Sequence, residues 1–242
     1  MSQRTGLAGV ALNVVSPEKL ADFYVQYLGM TVTRTNTELR LHYDKNQAYI
    51  AFRQSPSLSN YEHAPNDTYW KISITLPDID MAYSQLKQRE VKISKPKQFE
   101  NIGYLCHLTD PQGFQIELLQ HTFENEEKSM LAHEQHKLGG GARIGLITLR
   151  TNDIYPELDH YIGTLGMRLL SIQPLEKYDF DLYFFGFSKE TPPNPVPTSV
   201  QNRPWLWQRP YTILEIQHRY EKGVSIKKTN SNSTGFTKLI FK

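Results

Sequence analysis

Acid–base or metal chemistry needs carboxylates and imidazoles that fall close together, and one stretch of this sequence supplies them. Glu117 stands in the strand-like run Phe114–Leu119, with His107 before it and His121 after it. A carboxylate beside an imidazole can act as a general base or give two donors to a metal ion. A transition-metal site needs about three protein ligands, however, and no third donor lies near. Glu215 is the second strand carboxylate, in Leu214-Glu215-Ile216-Gln217-His218. His42, His107 and His121 read either as edge or core histidines or as a catalytic base. Cys106 alternates with Leu105 in a strand, which describes a buried thiol. As the single cysteine it excludes an internal disulfide and a Cys-rich metal knuckle. Trp205 and Trp207 lie in the proline-rich stretch 189–209 and either pack onto the domain or line a ligand pocket.

The elements that must position these residues recur. Val10–Val14 alternates as a strand, and Ser16-Pro17-Glu18 opens a helix with proline at its first position. That helix carries Leu20, Phe23, Tyr24, Tyr27 and Leu28 on one face and stops at Gly29-Met30. The pattern returns at Ile147-Thr148-Leu149, followed by Tyr161, Leu165, Gly166 and Met167, at one constant offset from Tyr24, Leu28, Gly29 and Met30. Strands at Thr31–Thr33, Leu39–Tyr43 and Ala48–Arg53 complete a βαβββ unit.

A second unit runs from the strand Lys71–Leu76 through a helix from Pro77 to Arg89. Its later strands are expected near Val91–Ile93, Tyr104–Leu108 and Phe114–Leu119, the last two joined by the turn Asp110-Pro111-Gln112-Gly113. A third unit has its first strand at Ile144–Arg150, a helix at Tyr155–Leu165, and strands at Met167–Ile172, Leu182–Phe187 and Tyr211–His218. After a polar, basic hinge from Glu221 to Thr234, Gly235–Phe241 begins a fourth unit that does not continue.

The expectation is an α+β protein of tandem βαβββ units. Residues 1–121 form a first domain of two units. Residues 122–142 form a charged linker ending in Gly139-Gly140-Gly141, with a short helix possible at Asn125–His136 and solvated histidines at His133 and His136. Residues 143–242 form a second, unfinished domain. Its unpaired half would need cover from the first domain, an identical chain in a homodimer, or further sequence.

Bulk composition narrows the partners. The chain has 242 residues, 39% hydrophobic and 21% charged, and a net charge of +2. No basic cluster stands out, so nucleic acid and anionic membrane are not expected partners. No apolar run could span a bilayer and no signal-like h-region opens the chain, which makes the cytoplasm the default location.

The first strand, the helix ending Phe23-Tyr24-(x)3-Leu28-Gly29-Met30 and the hairpin Asp110-Pro111-Gln112-Gly113-(x)3-Glu117 resemble the vicinal oxygen chelate superfamily. That superfamily includes glyoxalase I, bleomycin-resistance proteins and extradiol dioxygenases. The second half, through Leu165–Leu170, Leu182–Gly186, Leu214–His218 and Gly235-Phe236, is most similar to glyoxalase I. The resemblance implies curved mixed sheets built from paired units around a metal and substrate cavity. It also implies a carboxylate-holding role for Arg150, whose guanidinium would match a carboxylate bidentately. A solvent-facing strand cap is the competing reading for Arg150.

Carried over position by position, the implied metal ligands are Gly9, a residue near Ala51, Lys71 and Glu117 in the first domain, and Leu146, Glu215 and Lys238 in the second. Only the two glutamates can ligate, since glycine, alanine and leucine offer no donor and an ammonium has no lone pair. No metal is expected, unless the assignment is misplaced and Zn, Ni, Mn or Fe binds. The expectation is that Lys71 pairs with Glu117 and Lys238 with Glu215, each ammonium replacing a lost cation. Lysines snorkelling to solvent are the alternative.

Three functions then stay open. The first is a metal-free module that binds a small organic ligand through Lys71, Lys238, Arg150, Trp205 and Trp207. The second is a lactoylglutathione lyase or dioxygenase-type enzyme with unconventional ligands, in which the resemblance makes Glu117 or Glu215 the catalytic base. The third is a fold used for assembly or regulation.

Overall fold

The computed structural model describes residues 5–220, 225–227 and 233–242. The chain runs β1 (Leu7–Val14), α1 (Pro17–Gln26), β2 (Thr31–Arg34), β3 (Leu39–His42) and β4 (Tyr49–Gln54). The second unit follows as β5 (Tyr69–Leu76), α2 (Ile79–Gln88), β6 (Lys97–Phe99), β7 (Gly103–Thr109) and β8 (Gln115–Gln120). The third is β9 (Arg143–Thr151), α3 (Ile154–Leu158), β10 (Arg168–Leu175), β11 (Phe180–Gly186), α4 (Asn202–Trp207) and β12 (Ile213–Arg219), and β13 (Gly235–Phe241) comes last. Most of the hinge expected at Glu221–Thr234 lies outside the described residues.

Local chemistry accounts for the repeated elements. Pro17 starts α1, which buries Leu20, Ala21 and Tyr24. Asp78 caps α2 by accepting the Met81 N–H. The Asp110–Gly113 turn is held by the Asp110 carboxylate, which accepts the backbone N–H groups of Gln112 and Phe114 and the Tyr24 hydroxyl at 2.9 Å. Gly113 has φ +99°, and a Cβ there would sit 1.9 Å from the Tyr61 carbonyl oxygen, so no other residue fits.

Several elements differ from expectation. The strand expected near Val91–Ile93 is reduced to an isolated bridge, Ile93 to Leu108, with β6 four residues further on. The helix expected at Tyr155–Leu165 is α-helical only to Leu158 and then widens into a π-turn over Asp159–Thr164. Of the helix considered for Asn125–His136 nothing forms; the one helical turn nearby is Lys137–Gly139. The proline-rich stretch 189–209 contains α4, which the proline count hid.

The pairing of units also departs from the expected domains. Units two and three join in one eight-stranded sheet, ordered β10-β11-β12-β9-β5-β8-β7-β6, through antiparallel contact of β5 with β9. Unit one and β13 form a separate five-stranded sheet, ordered β13-β1-β4-β3-β2. Residues 1–121 are thus not one self-paired domain. Each unit offers the same first-strand edge, and hydrophobic periodicity does not say which edge it meets.

The segment 122–142 guides the choice. It folds back over α2, with Gln85 donating to the Glu134 and His136 carbonyls and Lys128 reaching Asp78, and delivers β9 beside β5. One face of the eight-stranded sheet packs on the helices through residues such as Ile74, Ile116 and Ile147. The opposite face curls around a second cluster containing Leu105, Leu119, Leu146 and Phe184, closed by Leu206 and Trp207 of α4.

Candidate functional site

Alternation along four central strands aims one row of side chains into that curl. Lys71 and Ser73 come from β5, Glu117 and Leu119 from β8, Leu146 and Thr148 from β9, and Glu215 from β12. A register shift between Tyr69 and Lys71 in the β5–β9 pairing breaks the alternation. Trp70 and Lys71 consequently both line the same cavity, as a bulge allows. The cavity has a volume of about 250 Å³. Its walls include Phe99, Phe180, Phe184 and Trp207, and its polar groups are Lys71, Lys97, His107, Glu117 and Glu215.

The floor is a lysine between two glutamates. Lys71 Nζ donates to Glu117 Oε1 at 2.7 Å and to Ser73 Oγ at 3.2 Å, and stands 3.8 Å from Glu215 Oε2. Ser73 donates to the same Glu117 oxygen at 2.7 Å, and Thr148 donates to Glu215 Oε2 at 3.1 Å. His107 Nε2 lies 3.0 Å from Glu117 Oε2, close enough for attraction but not aligned as a hydrogen bond. Lys71 and Glu215 are each 2% exposed and Glu117 4%.

The two carboxyls diverge. Burial pushes Glu117 up, but Lys71 and then His107 outweigh it and hold this carboxyl below the usual range. Burial also pushes Glu215 up; Lys71 opposes the rise, Glu117 adds to it, and the net shift is upward. Two carboxylates sharing one ammonium cannot both be fully compensated.

Four of the positions that the resemblance implies as metal ligands, Lys71, Glu117, Leu146 and Glu215, line this one cavity. They do not fit a metal ion. The ammonium occupies the space between the carboxylates and Leu146 brings only methyl groups. No group of three or more His, Cys, Asp or Glu among the described residues could hold an ion.

The remaining expected residues are dispersed. Lys238 does not meet Glu215: it is exposed on β13, opposite Ala11 of β1, in the other sheet. Gly9 and Ala51 belong to that sheet as well. Glu215 meets Lys71 because the units pair two with three. Arg150 is 8% exposed, donates to Gln217 Oε1 at 2.9 Å and to the Ala64 carbonyl at 3.2 Å, and its guanidinium carbon sits 4.6 Å from the Trp70 ring centroid. It touches a cavity wall residue without lining the cavity, and it does not cap a strand edge in solvent.

Trp207 is a buried wall residue whose N–H donates to the Ile102 carbonyl at 3.3 Å and whose ring meets Phe184 edge-on. Trp205 lies outside the wall, beneath the Arg209 guanidinium. His121 is buried against Ser129 away from the cavity, and His42 bonds Thr33 in the five-stranded sheet. Cys106 is buried and its thiol is pushed well up by desolvation.

Sequence reading missed Ser73, Thr148, Trp70 and Lys97. Ser73 and Thr148 were accessible, two positions beyond Lys71 and Leu146 on the same strand faces. Trp70 was hidden by the bulge, and Lys97 by the displaced β6.

Comparison with known proteins agrees with this architecture. Residues 6–118 match the model of the Glyoxalase/Bleomycin resistance protein/Dioxygenase superfamily. A Saccharomyces cerevisiae protein named Glyoxalase I is 25% identical over 130 residues, which is 54% of this chain and 38% of the yeast protein. The match thus spans well under half of that relative's length. The crystal structure of glyoxalase I from Zea mays superposes with a TM-score of 0.69 at 16% identity, covering 97% of this chain and 73% of that one. At that identity the likeness is one of fold. No helix among the described residues is long and apolar enough to cross a membrane.

Proposed function

We propose that this protein, whose residues 6–118 match the Glyoxalase/Bleomycin resistance protein/Dioxygenase superfamily, binds a small organic ligand in the cavity of its eight-stranded sheet, without a metal ion. One observation carries the reading: Lys71 stands 2.7 Å from Glu117 and 3.8 Å from Glu215, where a cation would otherwise be held. The aromatic walls around this polar floor have the make-up of a small-molecule site, mostly apolar with a few polar anchors.

A second reading, a metal-dependent lactoylglutathione lyase, is favoured by the yeast match alone. It would need ligands that the four cavity positions do not supply. The deciding experiment is metal content by plasma mass spectrometry on protein purified without chelator or affinity tag. Thermal melts with added Zn²⁺, Ni²⁺, Mn²⁺ and Fe²⁺ would follow. No bound metal and no stabilisation by any ion is the expected result. Near-stoichiometric metal, together with lyase activity on the glutathione hemithioacetal of methylglyoxal, would overturn the proposal.

A further inference from the structure

On the floor of the cavity Lys71 Nζ and Glu215 Oε2 stand 3.8 Å apart, too far for a direct hydrogen bond and close enough for one oxygen atom to reach both. Lys71 has three N–H donors; Glu117 and Ser73 take two of them. Glu215 Oε2, 3.8 Å away, is beyond hydrogen-bond range, and the ammonium also lies 4.7 Å from the Trp70 ring centroid. Glu215 has its Oε2 bonded to Thr148, and no hydrogen bond to Oε1 forms among the described residues. Glu117, by contrast, is saturated by Lys71 and Ser73 on one oxygen and faces His107 with the other.

A group that accepts from the ammonium and donates to the carboxylate would close the gap. A hydroxyl does both with one oxygen. The charged side chains lining the cavity balance, Lys71 and Lys97 against Glu117 and Glu215. A ligand carboxylate would meet two glutamates, and a ligand ammonium would meet Lys71. Either would bury an uncompensated charge. The rest of the wall is aromatic and aliphatic, and about 250 Å³ exceeds the roughly 150 Å³ apolar cavity that accommodates benzene.

We infer that the cavity takes an uncharged aromatic compound bearing a hydroxyl group, which bridges Lys71 and Glu215. This rests on the binding reading above and specifies its ligand. The test is an NMR titration of the full chain, following the indole N–H resonances of Trp70 and Trp207. The probes are four compounds of near-equal shape: benzyl alcohol, ethylbenzene, benzylamine and benzoate. Benzyl alcohol is expected to bind roughly tenfold more tightly than each of the others, the worth of about one net buried hydrogen bond.

Glu215→Leu, which leaves the Lys71–Glu117 pair in place, should lower the preference for benzyl alcohol over ethylbenzene, and Glu215→Gln, which still offers an acceptor, should retain more of it. A purely structural role for Glu215 would leave that ratio unchanged and overturn the inference. Tightest binding of benzoate or benzylamine, or equal binding of ethylbenzene and benzyl alcohol to the unaltered protein, would also overturn it while leaving the cavity a binding site. Failure of all four compounds to bind would overturn the binding reading itself.

Discussion

Two lysines occupy corresponding first-strand positions in the two sheets, and they have opposite fates. Lys71 on β5 is 2% exposed and clamped among Glu117, Ser73 and Glu215; Lys238 on β13 is exposed. The strand alone does not decide burial. Neighbouring strands decide it, because β8 and β12 bring a carboxylate each to the eight-stranded sheet. In the five-stranded sheet the late-strand position is Ala51, which has no carboxylate, and the first-strand position beside it is Gly9. Gly9 has φ +148°, and a Cβ there would come within 1.9 Å of the Tyr49 carbonyl oxygen, so that position cannot carry a polar side chain at all. A buried ammonium survives only where anions accompany it, and the five-stranded sheet offers none at that depth. Its buried carboxylate, Glu38, is spent on Arg40 and Arg53.

Removing each lysine in turn is the harshest way to break this comparison. Lys71→Met keeps the side-chain length but leaves Glu117 buried without its ammonium, and should cost about 3–5 kcal/mol in urea unfolding. Lys238→Met should change stability by no more than about 0.5 kcal/mol, as exposed positions do. Equal effects would mean that the Lys71 cluster contributes nothing beyond a surface ion pair.

The comparison sharpens if the eight-stranded sheet can be converted to a metal site while the other cannot. The double change Lys71→His with Leu146→His puts two imidazoles beside Glu117 and Glu215, a four-donor set in one cavity. Without metal this variant should be less stable than the parent, because Glu117 loses its ammonium. Zinc at about a hundredfold over its dissociation constant should restore roughly 2.7 kcal/mol, visible as a metal-dependent rise in Tm. The unaltered protein should show no such rise.

Much of this was legible from sequence. The repeated helix with its Leu-Gly stop, the Asp110–Gly113 turn and the alternation of β5, β8, β9 and β12 all follow from side-chain period and turn chemistry, which are local. The approach of Lys71 to Glu117 was accessible because β5 and β8 belong to the same unit. The partner of Glu215 was not: it depends on β5 meeting β9, a choice between equivalent strand edges made by the segment folding over α2. The bulge that turns Trp70 inward left no mark in an otherwise regular alternation. Asn202–Trp207 was obscured by surrounding prolines, although its apolar face fills the sheet's concavity.

The smallest effect, and the most diagnostic of charge sharing at the floor, lies in the pH dependence of stability. Glu117 is held below its ordinary value in the folded state, so the unfolded chain binds more protons there. Its contribution is fully present above the unfolded carboxylate value of about 4.3 and is lost as pH falls through the lower folded value. Glu215 has the opposite sign. Its folded value is raised, so the folded chain binds more protons, and stability declines as pH rises above about 4.3 toward that folded value. Urea titrations across this range should show the decline in the parent protein. Glu215→Gln, which removes the ionisation but keeps a polar group at the Thr148 contact, should flatten it, while the acid limb due to Glu117 remains. If the variant retains the parent's decline, Glu215 is not the group carrying the strain of two carboxyls on one ammonium. Lys238→Met should leave both limbs unchanged, since no carboxylate in the five-stranded sheet depends on that lysine.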